Sequence, residues 1–316
     1  MNPFAFIFPG QGSQSVGMLD AWGDHPAVLE VLREASDAMG EDVAKLIREG
    51  PAESLSLTTN TQPVMLVAGV AAWRVWLAEG GALPSAVAGH SLGEYSALVA
   101  SGVLTLAQAA PLVRFRAAAM QEAVPVGEGA MAAVLGLPAS RVMEVCAEVQ
   151  AGFGVGSAEV VEAVNFNEPA QTVIAGSKAA VEKACEAVKG AGAKRALPLP
   201  VSAPFHSSLM KPAAERLREK LAQTHFNPPS IPVVNNVDVA VETDVDRIRD
   251  ALYRQAFGPV RWVECVEAIR DRGISTLVEC GPRKVLTGMV KRVDASLAAA
   301  ALYDPTTLKE VQTLLA

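Results

Sequence analysis

The stretch Val87-Ala88-Gly89-His90-Ser91-Leu92-Gly93-Glu94 decides how the rest of the chain is interpreted. It places a serine between two glycines in the pattern G-x-S-x-G, which is typical of a nucleophile on a sharp turn from a strand into a helix. The apolar residues 86–88 fit the end of a buried strand, and residues 94–100 are compatible with a helix. The sequence therefore predicts an elbow that presents Ser91, with an ordinary tight turn as the alternative.

The composition is that of a globular protein, with 50% hydrophobic and 19% charged residues among 316. The net charge is −7 and no basic run is present, which argues against nucleic-acid binding. No apolar stretch reaches the roughly 18 residues of a membrane-spanning helix. The four cysteines show neither metal-ligand nor C-x-x-C spacing, so we expect buried thiols, no metal site and a reducing, cytoplasmic location. They are Cys146, Cys185, Cys265 and Cys280.

Two kinds of pattern divide the chain. In residues 1–127 and 201–316, strands alternate with helices, which predicts an α/β fold. We expect these residues to form an α/β-hydrolase-like body, in which helices cover both faces of a parallel sheet. Residues 128–200 follow the order β-α-β-β-α-β of a ferredoxin-like unit, which needs only about 70 residues. We therefore expect an inserted ferredoxin-like subdomain. In the body, one helix is predicted to begin at Pro63 and a closing helix to lie near Val285–Val293.

A serine nucleophile needs a base, and histidine suits this role because its pKa lies near neutral pH. The chain has four histidines. His90 adjoins Ser91, where neighbouring side chains diverge, and His25 and His225 lie in polar loops that we interpret as surface. His206 follows the predicted insert, in a loop of the kind that carries sites in α/β folds. His206 is the candidate base, and a structural histidine is the alternative.

The base also needs an acceptor for its second ring nitrogen. The carboxylates placed between Ser91 and His206, such as Glu159, Glu162 and Glu168, fall inside the predicted insert, which disfavours them. A neutral carbonyl would serve less strongly. Gln255 is one possibility, although the pattern alone does not select it.

An acyl intermediate requires backbone N–H groups that stabilise its oxyanion. The elbow itself supplies the N–H of Leu92 at a helix N-terminus. The loop Gly10-Gln11-Gly12 after the first strand is apt for the second donor, because glycine allows close backbone approach. A phosphate-binding loop is the alternative, but the glycine spacing fits neither of the common phosphate-binding patterns.

Arg116 lies on an otherwise apolar predicted helix. A guanidinium that faces a core requires a partner. A structural ion pair or a solvated helix face would explain it. The functional alternative is a two-pronged clamp for a substrate carboxylate.

Several motifs in order along almost the whole chain resemble the malonyl-CoA:acyl carrier protein transacylase family of bacterial fatty acid synthesis. These are Phe8–Gln14, Gly89–Glu94, Arg116 with Met120-Gln121, Gly129–Ala133, Asn165–Asn167, Pro204–Ser207, Asn235-Asn236 and Glu279–Pro282.

The resemblance implies a role for each matching residue. Ser91 would carry the acyl group, and His206 would act as general base and then acid. Arg116 would pair with the free carboxylate of the malonyl group. Gln255 would orient the histidine through its carbonyl.

The resemblance also implies supporting groups. The backbone N–H groups of Gln11 and Leu92 would form the oxyanion hole. Asn165 would lie near the site at the subdomain junction, together with His90. Phe205 resembles the malonyl-selective pattern of related polyketide acyltransferases.

The implied reaction needs no cofactor and no metal, because the substrate is malonyl-CoA and the phosphopantetheine arrives on the acyl carrier protein. We expect a monomer without nucleic-acid or membrane partners. Basic pairs at 194–195, 283–284 and 291–292 are candidates for carrier docking, with solvated surface charge as the alternative. Three other functions stay open: a stand-alone acyltransferase of a polyketide synthase, a serine thioesterase or hydrolase, and a non-catalytic carrier-binding module.

Overall fold

The computed structural model describes residues 3–154, 156–201 and 203–316. Its strands are β1 (Phe4–Phe8), β2 (Ala86–Gly89), β3 (Gly129–Leu135), β4 (Val161–Glu168), β5 (Gln171–Ser177), β6 (Arg195–Pro198), β7 (Val233–Val234), β8 (Thr276–Cys280) and β9 (Ala298–Leu302). Its α-helices are α1 (Pro26–Met39), α2 (Val43–Glu49), α3 (Ala52–Leu55), α4 (Thr58–Ala78), α5 (Gly93–Ala100), α6 (Leu106–Glu122), α7 (Ala139–Ala151), α8 (Lys178–Gly190), α9 (Lys211–Gln223), α10 (Val245–Gln255), α11 (Trp262–Arg270), α12 (Val285–Val293) and α13 (Pro305–Leu315). No helix in this part of the chain is long and apolar enough to cross a membrane.

The body is built on a five-stranded parallel sheet in the order β7-β2-β1-β8-β9. All five residues of β1 are buried, as expected for a parallel strand with helices on both faces. On one face, the Phe6 ring meets the Trp76 ring of α4 edge-on, with 5.6 Å between centroids. On the other face, Ile7 belongs to a core cluster with Trp262 of α11. The carboxyl ends of β1 and β2 therefore lie side by side at one edge of the body.

Residues between β3 and β6 form a second sheet, which is antiparallel and has the order β4-β5-β3-β6. Its apolar core includes buried residues of α7 and α8, which cover one face. Across the other face, Met131 and Val173 pack with Met120 and Phe205 of the body. This sheet order confirms the ferredoxin-like arrangement in the predicted fold class.

Strand β4 joins the second sheet to the body. The Phe166 N–H donates to the Val260 carbonyl at 2.9 Å, and the Val260 N–H donates to the Val164 carbonyl at 2.8 Å. Arg292 on α12 forms an ion pair with Glu168, with 2.7 Å between Nε and Oε2. These contacts fix the edge of the second sheet beside the segment that follows α10.

The prediction that a helix begins at Pro63 is wrong. Helix α4 begins at Thr58, and Pro63 lies inside it. Proline lacks the N–H that would bond the carbonyl of residue 59. The Arg114 side chain replaces that donor, with 2.6 Å between Nη1 and the Thr59 oxygen, so the helix continues through the proline.

The helix predicted near residues 285–293 is present as α12, but the prediction that it is the last element is wrong, because β9 and α13 follow it. Strand β9 reads Ala-Ala-Ala-Ala-Leu, which lacks the β-branched residues that mark strands. Its strand form comes from pairing with β8. Helix α13 carries a stronger signal, because Asp304 and Thr307 form a reciprocal cap around Pro305.

Candidate active site

Ser91 lies at the turn between β2 and α5, with a φ of +52°. A side chain at either flanking glycine would collide with backbone. A Cβ on Gly89 would lie 1.9 Å from the Gly93 carbonyl carbon, and a Cβ on Gly93 would lie 2.0 Å from the Phe8 oxygen. The two glycines therefore let the turn close against β1, which exposes the Ser91 hydroxyl at the carboxyl edge of the sheet.

The Ser91 hydroxyl meets His206, which also has a positive φ of +67°. The distance from Ser91 Oγ to His206 Nε2 is 2.7 Å. His206 Nδ1 lies 2.9 Å from the backbone oxygen of Gln255. A carbonyl only accepts, so Nδ1 carries the ring proton and Nε2 is free to accept from the serine. Ser91, His206 and Gln255 thus have the geometry of a nucleophile, a base and its orienting acceptor.

The His206 imidazole is buried, and burial lowers its pKa to about 3. The positive charge of Arg116 contributes to this lowering of the pKa, while the hydrogen bond to the Gln255 carbonyl opposes it. The imidazole is therefore neutral at physiological pH, as a general base must be.

Arg116 is 2% exposed, and its guanidinium reaches the serine. Nη2 lies 3.3 Å from Ser91 Oγ and 3.1 Å from Gln255 Oε1, while Nη1 donates to Gln62 Oε1 at 2.5 Å. The cation also lies over the Tyr95 ring, 5.5 Å from its centroid. Within the described residues no carboxylate forms an ion pair with Arg116, so neither a structural ion pair nor a solvated face explains it.

The loop after β1 lies against the elbow. A Cβ on Gly10 would be 2.7 Å from the His90 oxygen, so glycine permits this approach. A hydrogen bond to helix α4 holds the Gln11 side chain, because its Oε1 accepts from Thr58 Oγ1 at 2.7 Å. Leu92 is the N-cap residue of α5. Within residues 3–154, 156–201 and 203–316, the backbone N–H groups of Gln11 and Leu92 have no hydrogen-bond acceptor.

A buried network behind the serine includes residues that the sequence analysis did not assign. Asn236 accepts from the Ser91 N–H at 2.7 Å and donates through Nδ2 to the Gly89 oxygen at 2.7 Å. Glu94 accepts from the Asn236 N–H at 2.9 Å. Asn236 and Glu94 lie in motifs that were recognised in the sequence, Asn235-Asn236 and the end of the elbow motif, but the sequence indicated no function for either residue. Gln62, which accepts a hydrogen bond from Arg116, lies in none of the recognised motifs.

Three further residues were expected near the site. His90 packs its ring against Trp262 and donates through Nε2 to Asn167 Oδ1 at 2.7 Å, so it faces away from Ser91, and burial lowers its pKa. Phe205 packs in the apolar cluster between the two sheets. Asn165 lies on β4, bridged to Val260, and its buried Oδ1 has no hydrogen-bond partner in the described part of the chain.

The other histidines and the insert carboxylates lie elsewhere. His25 caps α1 by accepting from the Ala27 N–H, and His225 is exposed. The carboxylates bond to other partners: Glu159 to Ser177, Glu162 to the Ser208 N–H and Glu168 to Arg292.

A cavity of about 800 Å³ opens beside His206. Its walls come from α7, from β4 and from the segment that contains Phe257 and Pro259. It is large enough for an elongated small molecule, and His206 is one of its lining residues. Strand β4 and α7 thus give the base a route to solvent.

The possible metal ligands and thiols of the described residues differ in grouping and in burial. No group of three or more His, Cys, Asp and Glu side chains there could hold a metal ion. All four cysteines are free thiols, and burial raises the pKa of each. A raised thiol pKa makes these cysteines poor nucleophiles.

The basic pairs differ in their surroundings. Lys194 and Arg195 are exposed at β6, the edge strand of the second sheet. Near the C-terminus, Arg292 forms an ion pair with Glu168, and the Lys284 ammonium lies over the Tyr303 ring.

Comparison with known proteins identifies relatives over almost the full length. The acyl transferase domain family matches residues 5–307. A malonyl CoA-acyl carrier protein transacylase of Salmonella typhimurium is 53% identical over 314 residues, which cover 99% of this chain and 100% of that protein. A protein of the same name from Bacillus subtilis is 44% identical and covers 99% of this chain and 98% of its own length.

Solved structures agree with the sequence matches. An acyl-carrier-protein S-malonyltransferase from Burkholderia pseudomallei is 61% identical with a TM-score of 0.95, covering 98% of this chain and 99% of that one. A malonyl-transacylase in complex with its type II polyketide synthase acyl-carrier protein is 50% identical with a TM-score of 0.95, covering 99% of this chain and 100% of that one.

Proposed function

Because this chain belongs to the acyl transferase family, among the malonyl CoA-acyl carrier protein transacylases, we propose that it moves a malonyl group from malonyl-CoA to the phosphopantetheine thiol of an acyl carrier protein. The observation that carries the proposal is the buried Arg116 guanidinium, 3.3 Å from the Ser91 hydroxyl and without an ion-pair partner among the described residues. A desolvated cation beside a nucleophile selects an acyl group that carries its own carboxylate.

In the first half-reaction, Ser91 Oγ attacks the thioester carbon of malonyl-CoA while His206 Nε2 takes the hydroxyl proton. The carbonyl oxygen becomes an oxyanion, which the N–H groups of Gln11 and Leu92 stabilise. The carbon–sulfur bond then breaks, and the imidazolium returns its proton to the departing thiolate. The products are free CoA and a malonyl ester on Ser91.

The second half-reaction runs the same steps in reverse order. His206 takes the proton of the phosphopantetheine thiol, and the sulfur attacks the ester carbon. The ester bond to Ser91 breaks, and the serine oxygen recovers the proton from His206. The carrier leaves with a malonyl thioester, and the enzyme regains its starting state.

We extend the proposal to the surroundings of the reaction. The residues assigned to it all come from one chain, so a monomer suffices. The chemistry needs no cofactor or metal, since the partner carries the phosphopantetheine. The cavity beside His206 admits the phosphopantetheine arm of the carrier protein. The exposed pair Lys194 and Arg195 attracts the acidic carrier. The free thiols fit a cytoplasmic location.

A second candidate is the same reaction with a polyketide synthase carrier. The relative solved with its type II polyketide synthase carrier is 50% identical, which favours this reading of the partner. Transfer rates to the two classes of carrier protein distinguish the candidates.

The acylation step is tested by intact mass after brief mixing with malonyl-CoA or acetyl-CoA. We expect wild type to gain one malonyl group and far less acetyl. Ser91→Ala should gain neither. A malonyl adduct that persists in Ser91→Ala, or no adduct on wild type, would overturn the assignment.

A further inference from the structure

Glu94 is a buried carboxyl group to which the reaction above assigns no part. It lies in the first turn of α5 and is 2% exposed. Its Oε2 accepts two hydrogen bonds, from the Asn236 N–H at 2.9 Å and from Gln255 Nε2 at 3.0 Å. The carboxyl group makes no hydrogen bond to Ser91, His206 or Arg116 among the described residues, so its hydrogen-bonding effect on the site passes through these two partners.

Gln255 hydrogen-bonds to all three residues of the site, Ser91, Arg116 and His206. Its Nε2 also donates to the Ser91 backbone oxygen at 3.0 Å, and its Oε1 accepts from Arg116 Nη2 at 3.1 Å. Its backbone oxygen accepts from His206 Nδ1 at 2.9 Å. One residue therefore holds the serine turn, the guanidinium and the imidazole.

The Gln255 side chain works in only one orientation. A half-turn of the amide would place its NH₂ group against the guanidinium, donor against donor, and would leave Arg116 without this acceptor. Glu94 Oε2 opposes that half-turn because it accepts from Nε2 in the observed orientation. The second bond, from Asn236, holds Oε2 in place and links it to the residue that accepts from the Ser91 N–H.

We propose that Glu94 is a positioning residue that fixes the Gln255 amide so that Arg116 is held for the substrate carboxylate. The inference rests on the proposed malonyl transfer and deepens it by naming a determinant of acyl-group selectivity. The site uses the acceptor oxygen of Glu94 at this position and not its charge.

The surroundings do not require Glu94 to be ionised. Burial raises the pKa of Glu94 to about 7, while the hydrogen bonds from Gln255 and Asn236 and the charge of Arg116 lower it. A neutral carboxyl or carboxamide oxygen accepts the same two bonds without the cost of a buried charge.

Two substitutions separate reach from charge. Glu94→Gln keeps an oxygen at the same distance and removes the charge. Glu94→Asp keeps the charge and withdraws the oxygen by about 1.5 Å, the length of one carbon–carbon bond. The measurement is kcat/KM for acylation with malonyl-CoA and with acetyl-CoA, taken as a ratio.

We expect Glu94→Gln to keep the malonyl-to-acetyl ratio within about threefold of wild type, because the two bonds persist. Glu94→Asp should lower the ratio roughly tenfold or more, the effect of losing a hydrogen bond to a charged group. Gln255→Leu, which keeps the backbone carbonyl, should lower the ratio similarly and serves if Glu94→Asp does not fold.

Glu279→Asp is the matched control. Glu279 is an equally buried carboxyl that accepts from the Val285 and Thr287 N–H groups, and its side chain makes no hydrogen bond to Ser91, Gln255 or Arg116 among the described residues. The Glu279→Asp variant should have a lower thermal stability and an unchanged malonyl-to-acetyl ratio of kcat/KM. A wild-type ratio in Glu94→Asp or Gln255→Leu would overturn the inference, as would a tenfold loss in Glu94→Gln. Wild type that forms no malonyl adduct would instead refute the proposed function.

Discussion

Arg116 is the residue that distinguishes this site from a general serine acyltransferase site. Replacing it with alanine removes the only cation that contacts Ser91 Oγ in the described structure. We expect Arg116→Ala to lower kcat/KM for malonyl-CoA roughly 100-fold, because a two-pronged charged interaction is lost. Acetyl-CoA carries no second carboxylate, so its kcat/KM should change far less. Steady-state kinetics with both thioesters provides the measurement.

Arg114 on the same helix is the control for Arg116. It bonds Thr59, Asn60 and Glu41 instead of the serine. Arg114→Ala should therefore lower the melting temperature but keep the malonyl preference. Equal loss of preference in both variants would mean that helix α6, and not the guanidinium, controls selectivity.

His206 makes stability depend on pH in a definite direction. Its folded pKa of about 3 lies below the usual 6.5, so the unfolded chain binds more protons between these values. The stabilisation is complete above pH 6.5 and is lost as the pH falls, by about 1.4 kcal/mol per unit. In His206→Gln this loss is absent. Urea unfolding of both proteins from pH 7 to pH 4 should therefore show wild type falling faster; parallel curves would contradict the lowered pKa.

The residue types of the site could be predicted, but not their connections. The glycines around Ser91 and the scarcity of histidine point to Ser91 and His206, and the structure brings these two together. The orienting acceptor is a backbone oxygen, which every residue has, so spacing alone could not single out Gln255. Glu94 contacts Asn236, 142 positions away, and only the folded chain reveals such a contact.

At the scale of elements, the β2–α5 turn depends on the absence of side chains. We expect Gly93→Ala to destabilise the fold by about 3 kcal/mol, because its Cβ would lie 2.0 Å from the backbone oxygen of Phe8 and would force the two segments apart. Gly190→Ala is the control, since no atom lies within 4 Å of a Cβ at this helical position. It should change stability by less than about 1 kcal/mol. Thermal melts of both variants test this, and equal melting temperatures would contradict it.

Elements with a clear local signal were predictable, and elements made by tertiary pairing were not. The helix at residues 245–255 shows its amphipathic pattern in the sequence. Helix α4 extends past Pro63 because a side chain from α6 supplies a donor for the Thr59 oxygen. Strand β9 is a run of alanine that becomes a strand only beside β8.

At the scale of the whole molecule, the C-terminal helix closes the main core. Leu308 of α13 is 7% exposed and belongs to the same cluster as the phenylalanines of β1, whereas Leu314 is 48% exposed. Leu308→Ala should lower the free energy of unfolding by about 2–5 kcal/mol. Leu314→Ala should change it by less than about 0.5 kcal/mol. Urea denaturation measures both values, and equal losses would show that α13 does not seal the core.

The overall architecture was predictable because it follows from repeated patterns. Alternating strands and helices predict a parallel sheet, and the β-α-β-β-α-β order between them predicts a second sheet. Its docking was not predictable, since it depends on single contacts such as Val260 with β4 and Arg292 with Glu168.

Transfer to the carrier is the central claim, and a chase experiment tests it most directly. Malonyl-enzyme is made with malonyl-CoA, freed of excess reagent and mixed with acyl carrier protein that bears phosphopantetheine. Intact mass then follows the malonyl group over time. The account predicts that the group moves from Ser91 to the carrier much faster than water removes it. Release of free malonate, with the carrier left unmodified, would contradict transfer and identify a hydrolase.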